Sequence, residues 1–302
     1  MSRTLEELEG KRKNAVNLLS VVKTMKTLSS VTIGQFEESV HSLRKYYEVV
    51  ERGLIAYLCT RKFGASFSSG VARTSPEPAA RISILLGSDL GMVGRFNESL
   101  VDLFMKGYCR TGVDQRIVAV GERMSAALAS ANSPPSCVFR TPDCVEAMIP
   151  AVTDLLDSIS LEHDRSPQDM EVMLFYSRMG RGTSYDTVVE RILPLDELWL
   201  EELSRRPRVS NVVPDVIYED EDILSSLIAE FLFVTLFKAC SESVMCENAA
   251  RLSYMEQAKG KIDDLLEELE FDIRQTRQTQ INNELFDIIS GFEAMRLEDE
   301  TA

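Results

Sequence analysis

Several residue types that carry common chemistry are scarce in this sequence of 302 residues. It contains only two histidines, His41 and His163, and a single tryptophan. Its six cysteines form no Cys-x-x-Cys pair, which argues against the closely spaced ligand pairs of a structural zinc site. Scattered thiols in a cytoplasmic chain are usually small buried hydrophobes, and we predict that role for them. We therefore expect no metal ion and no cofactor.

An excess of basic residues is also missing, as are long apolar runs. The chain has 33 Lys and Arg against 48 Asp and Glu, so its net charge of −15 argues against a nucleic-acid-binding protein. No apolar run approaches the roughly 20 residues of a membrane-spanning helix. Residues 1–7 resemble neither a secretory signal nor a transit peptide. The sequence thus predicts a soluble cytoplasmic chain without direct membrane insertion.

Proline is absent from both ends of the chain, since all ten prolines lie between Pro76 and Pro214. A proline inside a helix costs about 3 kcal/mol, so the two ends permit very long helices. In both ends, apolar residues recur at intervals of three and four in a narrow stripe that is typical of a coiled coil. These residues are Leu5, Leu8, Val16, Leu19, Val22, Met25, Leu28 and Ile33, and Ile262, Leu265, Leu266, Leu269, Ile273, Ile281, Leu285, Ile288 and Ile289.

The predicted terminal helices are too long to be buried in a domain of this size. At 1.5 Å per residue, helices over residues 3–58 and 223–295 would measure roughly 80 and 110 Å. Residues 1–60 hold 9 basic and 7 acidic side chains, whereas residues 216–302 hold 7 and 20. This difference in charge favours pairing of the two helices with each other.

The middle of the chain has the alternating pattern of an α/β domain. Short apolar runs predict strands, and helix-like segments separate them, which indicates a largely parallel, Rossmann-like sheet. The predicted strands are residues 81–87, 117–121, 137–140, 172–176 and 188–193. We therefore predict a coiled coil of the terminal helices (1–60 and 216–302), a flexible linker (61–80) and an inserted α/β domain (81–215).

The sequence offers little sign of a catalytic site. The glycines of Gly87–Gly94 follow a strand and precede a helix, as a phosphate-binding loop would, but their spacing is not Gly-x-Gly-x-x-Gly. A tight turn explains them equally well. Paired acids such as Glu201 and Glu202 have no histidine or lysine close to them in sequence to complete a catalytic set. We predict no catalytic residue.

Specific motifs in the last helix make the chain recognisable. Glu247-Asn248-Ala249-Ala250-Arg251 resembles the Ser-Glu-Asn-Ala-Ala-Arg-Met motif of the gamma subunit of F-type ATP synthases, and residues 277–285 resemble that family's Arg-Gln-x-x-Ile-Thr-x-Glu-Leu helix. Residues 22–26, 88–97 and 218–219 are similar to further family motifs in the same order. Leu90 and Arg95 depart from the family pattern, which suggests a divergent or alternative bacterial branch.

The resemblance implies a non-catalytic, rotating central-stalk subunit, whose terminal helices form an antiparallel coiled coil. It would couple ion-driven rotation of the c ring to nucleotide-state changes in the hexamer of alpha and beta subunits, with epsilon as a further partner. The complex would lie at the cytoplasmic face of the bacterial inner membrane. The resemblance implies beta-subunit contacts for Arg277, Gln278, Met25 and Lys26, foot contacts with epsilon and the c ring for Tyr218 and Glu219, an apical bearing at Ile288, Ile289, Phe292 and Met295, and a shaft motif at Glu247, Asn248 and Arg251.

Two other functions remain open from the residues alone. An α/β enzyme with a coiled-coil arm would bind nucleotide or substrate as an isolated chain. A coiled-coil scaffold would form a stable homodimer.

Overall fold

The structure, a computed structural model, describes residues 4–60, 80–109, 114–160, 170–180, 185–194 and 220–299. Its elements in chain order are α1 (Leu5–Thr60), β1 (Ala80–Leu86), α2 (Phe96–Gly107), β2 (Asp114–Val120), α3 (Glu122–Ser130), β3 (Cys137–Phe139), α4 (Met148–Ser160), β4 (Met170–Met179), β5 (Tyr185–Leu193) and α5 (Asp220–Asp299). The predicted fold class, an α/β sheet between two long terminal helices, is confirmed. The predicted linker, residues 61–80, lies outside the described residues except for Ala80.

The chain forms two compact units. The helical unit consists of Met1–Leu28 and Leu252–Ala302, and the sheet unit consists of Ser29–Arg251. Both α1 and α5 therefore contribute residues to each unit.

The start of α1 is fixed by a reciprocal capping box. The Glu7 backbone N–H donates to Thr4 Oγ1 at 3.3 Å, and the Thr4 N–H donates to Glu7 Oε2 at 3.4 Å. These bonds satisfy two backbone donors that have no partner within the helix. From there α1 continues to Thr60 without the interruption that a proline would cause.

Within the helical unit, α1 and α5 run antiparallel. Glu9 pairs with Arg277, and Lys26 pairs with Glu256, so residue numbers rise on one helix as they fall on the other. On α1, burial recurs at every seventh residue, at Leu8, Ala15 and Val22, which is the spacing of a coiled-coil seam. On α5, Met255 and Leu269 are buried two heptads apart. The predicted coiled coil is present.

The set of residues predicted for the narrow apolar stripe of these helices is partly wrong. Val16 is 51% exposed and Leu28 is 61% exposed, although both belong to the predicted stripe. On α5, Leu265, Ile281 and Leu285 are exposed as well. A seam between two helices buries only about two residues in seven, so the remaining apolar residues stay outside it.

The sheet unit contains a five-stranded sheet in the order β3-β2-β1-β4-β5. The pairs β2–β3, β1–β2 and β1–β4 are parallel, whereas β4 and β5 pair antiparallel. The largely parallel sheet was predicted, but β4 and β5 are longer than their apolar runs. Polar residues such as Ser177 and Arg178 extend β4 because they pair with Thr187 and Asp186 in the antiparallel ladder.

Both faces of this sheet are buried, as expected for a sheet of mostly parallel strands. One face, with Ile84 and Leu174, packs on α4 and on residues 232–244 of α5. The other face, with Leu85 and Phe175, packs on α2 and α3. That second cluster also includes Cys246 and Ala250 of α5. Helix α5 therefore passes from one face of the sheet to the other.

The cysteines only partly match the predicted buried role. Cys240 and Cys246 are buried, but Cys109, Cys137 and Cys144 are partly exposed. Burial raises the pKa of Cys240 to about 12, and burial together with Glu242 and Asp186 raises that of Cys246 to about 12.

Maleimide labelling should separate these two groups of thiols. With a pKa of about 12, only about one thiol in ten thousand is ionised at pH 8, and it has no access to reagent. We expect Cys109, Cys137 and Cys144 to be labelled in the native chain, with Cys240 and Cys246 labelled only in denaturant. Peptide mass spectrometry measures each site, and rapid labelling of Cys246 in the native chain would contradict the packing of α5.

None of the helices in the described ranges contains an 18-residue stretch that is apolar enough to cross a bilayer.

Candidate functional site

The most accessible surface of the helical unit lies towards the end of α5. Every residue from 277 to 291 is exposed. Because Glu9 lies opposite Arg277 and α1 begins at Leu5, α5 extends beyond the described start of α1. Five apolar side chains in this segment are 45% to 64% exposed, namely Ile281, Leu285, Phe286, Ile288 and Ile289. We call residues 281–291 the apolar end of α5. Exposed apolar patches mark interaction surfaces, so this segment is a candidate partner-binding site.

The predicted bearing residues fall partly within this segment. Ile288 is 59% exposed and Ile289 is 45% exposed, so both are available to a partner. Phe292 and Met295 follow in the same helix, but their side chains lie outside the described residues. Tyr218 and Glu219, predicted as foot contacts, also lie outside the described residues.

Arg277 and Gln278 lie on the exposed surface immediately before the apolar end. Arg277 Nη2 donates to Glu9 Oε1 on α1 at 3.4 Å, while the Arg277 side chain remains 60% exposed. An exposed pair at this distance contributes little to stability, so a partner carboxylate or carbonyl can compete for the guanidinium. The arrangement suits recognition of an acceptor on another chain.

Met25 and Lys26 are half-buried on α1. Lys26 Nζ donates to Glu256 Oε2 across the helix pair. This hydrogen bond and the charge of Lys26 lower the pKa of Glu256. The ammonium group of Lys26 is therefore already paired within the chain.

The predicted shaft motif forms a buried polar cluster on α5. Arg251 Nη1 donates to Asn248 Oδ1 at 3.1 Å, and Arg251 Nη2 donates to Glu247 Oε1. Asn248 Nδ2 donates to the Val244 carbonyl at 2.9 Å. The three side chains are each at least nine-tenths buried. Burial raises the pKa of Glu247 although Arg251 lowers it, and nearby Asp89 adds to the rise. These residues stabilise the fold and are not available to a partner.

The glycines of Gly87–Gly94 serve close packing and turns. A Cβ on Gly87 would lie 2.5 Å from Met124 Cβ and 2.6 Å from Asn97 Oδ1. Gly94 has φ +62°, which glycine adopts at no steric cost. Asp89 accepts the backbone N–H groups of Glu122 and Thr141 at 2.9 and 3.0 Å, which ties the loop to its neighbours. The turn interpretation therefore explains this stretch.

In open α/β sheets, ligands bind outside the carboxyl ends of the strands where the strand order reverses. In this sheet that point lies between β1 and β4. Helix α5 covers it. Ser243 Oγ donates to the carbonyl oxygen of Leu86 at 3.0 Å, and Arg178 Nε donates to Glu242 Oε2 at 3.1 Å. The chain's own helix thus takes the position that a ligand has in enzymes of this fold.

Arg178, Glu242 and Ser243, which meet where α5 crosses the sheet, were not predicted as site residues. No local pattern marks them, because 64 positions separate Arg178 from Glu242. Phe271, which is 65% exposed on α5, was not predicted either. Among the described residues, no three His, Cys, Asp or Glu side chains are grouped so that they could hold a metal ion.

These features define a class of protein: a sheet domain whose ligand crevice is covered by its own terminal helix, in a chain whose two ends pair as a coiled coil. The family model described as ATP synthase matches residues 4–295. The chain therefore belongs to the ATP synthase family.

Individual relatives narrow this assignment. The ATP synthase gamma chain of Pasteurella multocida is 25% identical over 299 residues, covering 96% of this chain and 99% of that protein. The gamma chain of Syntrophus aciditrophicus is 27% identical over 256 residues, covering 78% and 83%. The gamma-subunit resemblance is thus confirmed, and with it a non-catalytic subunit instead of an enzyme.

Two solved structures share the fold. A chain in the OSCP/F1/c-ring structure of the mitochondrial ATP synthase of Euglena gracilis superposes with a TM-score of 0.66 at 18% identity, covering 96% of this chain and 94% of that one. A chain in the rotor structure of the same enzyme superposes with a TM-score of 0.60 at 17% identity, covering 92% and 98%.

Proposed function

We propose that this chain is the central-stalk rotor of an F-type ATP synthase. The observation that carries the proposal is the antiparallel pair of α1 and α5 in the helical unit, with an exposed apolar end on α5, in a chain of this family. A rotor must transmit torque, and paired helices resist bending better than one. Its end must also turn against neighbours, and apolar contacts permit this because they are non-directional.

In this proposal the helical unit turns inside a hexamer of alpha and beta subunits. The apolar end of α5, with Ile288, Ile289, Phe292 and Met295, rotates in an apolar bearing. Arg277 and Gln278 hydrogen-bond a loop of a beta subunit, and Met25 and Lys26 lie near its lever region. Exposure of Arg277 and of the apolar end supports these assignments.

The sheet unit is proposed to contact the epsilon subunit and the c ring, with Tyr218 and Glu219 at that contact. The predicted division into shaft helices (1–60 and 216–302), linker (61–80) and α/β domain (81–215) stays a proposal. We place the complex at the cytoplasmic face of a bacterial inner membrane, since curated relatives such as the Pasteurella gamma chain are bacterial. Rotation would couple ion flow through the c ring to the nucleotide states of the beta subunits.

Co-purification tests this function. A tagged chain expressed in its own cells should bring down alpha-type and beta-type ATPase subunits together with an epsilon-type subunit. A variant truncated after residue 276 lacks both Arg277 and the apolar end, and we expect it to recover less of the hexamer. Recovery of no ATPase subunit by the full chain would overturn the proposal, and a stable homodimer in sedimentation would favour the scaffold alternative.

A further inference from the structure

Helix α5 is fastened to the carboxyl ends of the two central strands by adjacent residues. Ser243 Oγ donates to the carbonyl oxygen of Leu86, the last residue of β1, at 3.0 Å. Glu242 Oε2 accepts from Arg178 Nε, near the end of β4, at 3.1 Å. Because Glu242 and Ser243 are consecutive in α5, both bonds hold the same turn of this helix, over two strands that pair with each other. We call Arg178, Glu242 and Ser243 the helix–sheet anchor.

Arg178 is itself held in one orientation by its neighbours on β4 and β5. Arg178 Nη2 donates to the Tyr176 hydroxyl and to Glu190 Oε2, the latter at 3.3 Å. The Tyr176 hydroxyl in turn donates to Glu190 Oε2 at 2.9 Å. Burial and the charge of Glu190 raise the pKa of Tyr176, so it keeps its proton for this bond. A guanidinium bound on several sides loses little further freedom when it binds Glu242.

The anchor differs in kind from the other contacts between α5 and the sheet. Residues such as Leu236, Cys240 and Val244 make apolar contacts, which resist separation but are non-directional. Hydrogen bonds between ionised groups are strong and directional, so they resist twisting of a helix against a sheet. The Glu242 side chain is 15% exposed and the Arg178 side chain is 43% exposed, so solvent screens their bond less than it screens a fully exposed pair.

We propose that Arg178 is a positioning residue for energy coupling, which locks α5 to the sheet through Glu242 so that rotation of the sheet unit is passed to α5. This inference rests on the proposed rotor function and adds the residue through which torque enters the helix. No local sequence pattern predicts the contact between Arg178 and Glu242. The connection exists because the sheet topology places the end of β4 beside α5.

The chain offers a matched control for this ion pair. Arg81 Nε donates to Glu171 Oε2 at 2.7 Å, joining β1 to β4 near the start of both strands. The Arg81 and Glu171 side chains are 11% and 16% exposed, so this pair is at least as buried as the Arg178–Glu242 pair. It links strand to strand, whereas Arg178 links strand to helix. Removing it tests sheet stability without touching the anchor.

The experiment uses the assembled complex in sealed vesicles. ATP hydrolysis and ATP-driven ion uptake are measured together, with a pH-sensitive dye for protons and radioactive sodium in parallel. For Arg178→Gln and for Glu242→Gln, we expect hydrolysis to continue while ions taken up per ATP fall about twofold or more. For Arg81→Gln, we expect the wild-type number of ions taken up per ATP, even if this variant loses as much thermal stability as Arg178→Gln.

A double variant adds a readout that general destabilisation does not produce. If both residues act through one contact, Arg178→Gln/Glu242→Gln should lose no more coupling than either single change. A wild-type uptake ratio in Arg178→Gln, or an equal loss in Arg81→Gln, would overturn the inference while leaving the rotor function intact. A wild-type complex that lacks ATP-driven ion uptake altogether would instead overturn the proposed function.

Discussion

Replacing Arg251 with alanine is expected to lower the free energy of unfolding by about 3–5 kcal/mol, because it leaves the buried carboxylate of Glu247 without its cation. Arg251 and Glu247 are 7% and 5% exposed, so water cannot substitute for the lost partner. Asn248 would lose the Arg251 Nη1 donor as well. Urea titration followed by far-UV circular dichroism measures the change.

The pH dependence of the stability of Arg251→Ala shows whether the unpaired carboxylate of Glu247 causes the loss. Burial already raises the pKa of Glu247, so the folded state binds a proton more readily than the unfolded state. The contribution of Glu247 to the free energy of unfolding therefore falls as the pH rises from the pKa of Glu247 in the unfolded state to its pKa in the folded state. Loss of Arg251 raises the folded pKa further, and we expect Arg251→Ala to be less destabilised at pH 5 than at pH 8.

Two controls accompany the Arg251 variant. Arg274→Ala removes an exposed arginine from the same helix and should change stability by no more than about 0.5 kcal/mol. Glu247→Leu combined with Arg251→Met replaces both charges by apolar groups and should recover most of the loss. Equal destabilisation by Arg251→Ala and Arg274→Ala would show that the loss of stability does not come from breaking the Glu247–Arg251 pair.

Replacing both Arg277 and Gln278 with alanine is expected to lower ATP turnover of the assembled complex about tenfold, with assembly intact. A hydrogen bond to a charged group contributes about 1.5–3 kcal/mol, and about 1.4 kcal/mol corresponds to a factor of ten. Turnover responds because the proposed contact with a beta subunit would form during rotation. The apolar end of α5 is unchanged in this variant, so assembly should be retained.

The sequence supplies its own control for this experiment. Arg274 and Gln275 repeat the same residue pair one turn earlier on α5, and both are exposed. Arg274→Ala/Gln275→Ala removes the same two side chains at positions for which no beta-subunit contact is proposed, so this variant should retain near wild-type turnover. Turnover that is unchanged by Arg277→Ala/Gln278→Ala would rule out the proposed beta-subunit contact. If both double variants lower turnover equally, the effect comes from removing positive charge from α5 in general and not from a specific contact of Arg277 and Gln278.

Much of the fold follows from residues close together in the sequence. The absence of proline from both ends and their apolar spacing predicted α1 and α5, because each turn of a helix depends on residues three and four apart. Short apolar runs predicted the five strands. The motifs around Glu247 and Arg277 predicted the family, since those combinations of residues are specific to it.

The burial pattern of α1 shows what apolar spacing in the sequence does not predict. The buried positions Leu8, Ala15 and Val22 in the helical unit, and Ser29 and Phe36 in the sheet unit, recur every seven residues. Ala15 and Ser29 are too small or too polar to be recognised as seam positions, whereas Val16 and Leu28 are apolar and exposed. Which side of a helix is buried depends on the helix opposite it.

Local spacing and short specific motifs were therefore enough to predict the elements, their order and the family. The burial of Glu247 and Arg251 and the bond from Arg178 to Glu242 depend instead on tertiary contacts, as does the position of α5 over the carboxyl ends of β1 and β4. These contacts join residues far apart in the chain, and a polar side chain does not show in sequence whether folding will place it in solvent or against a distant partner.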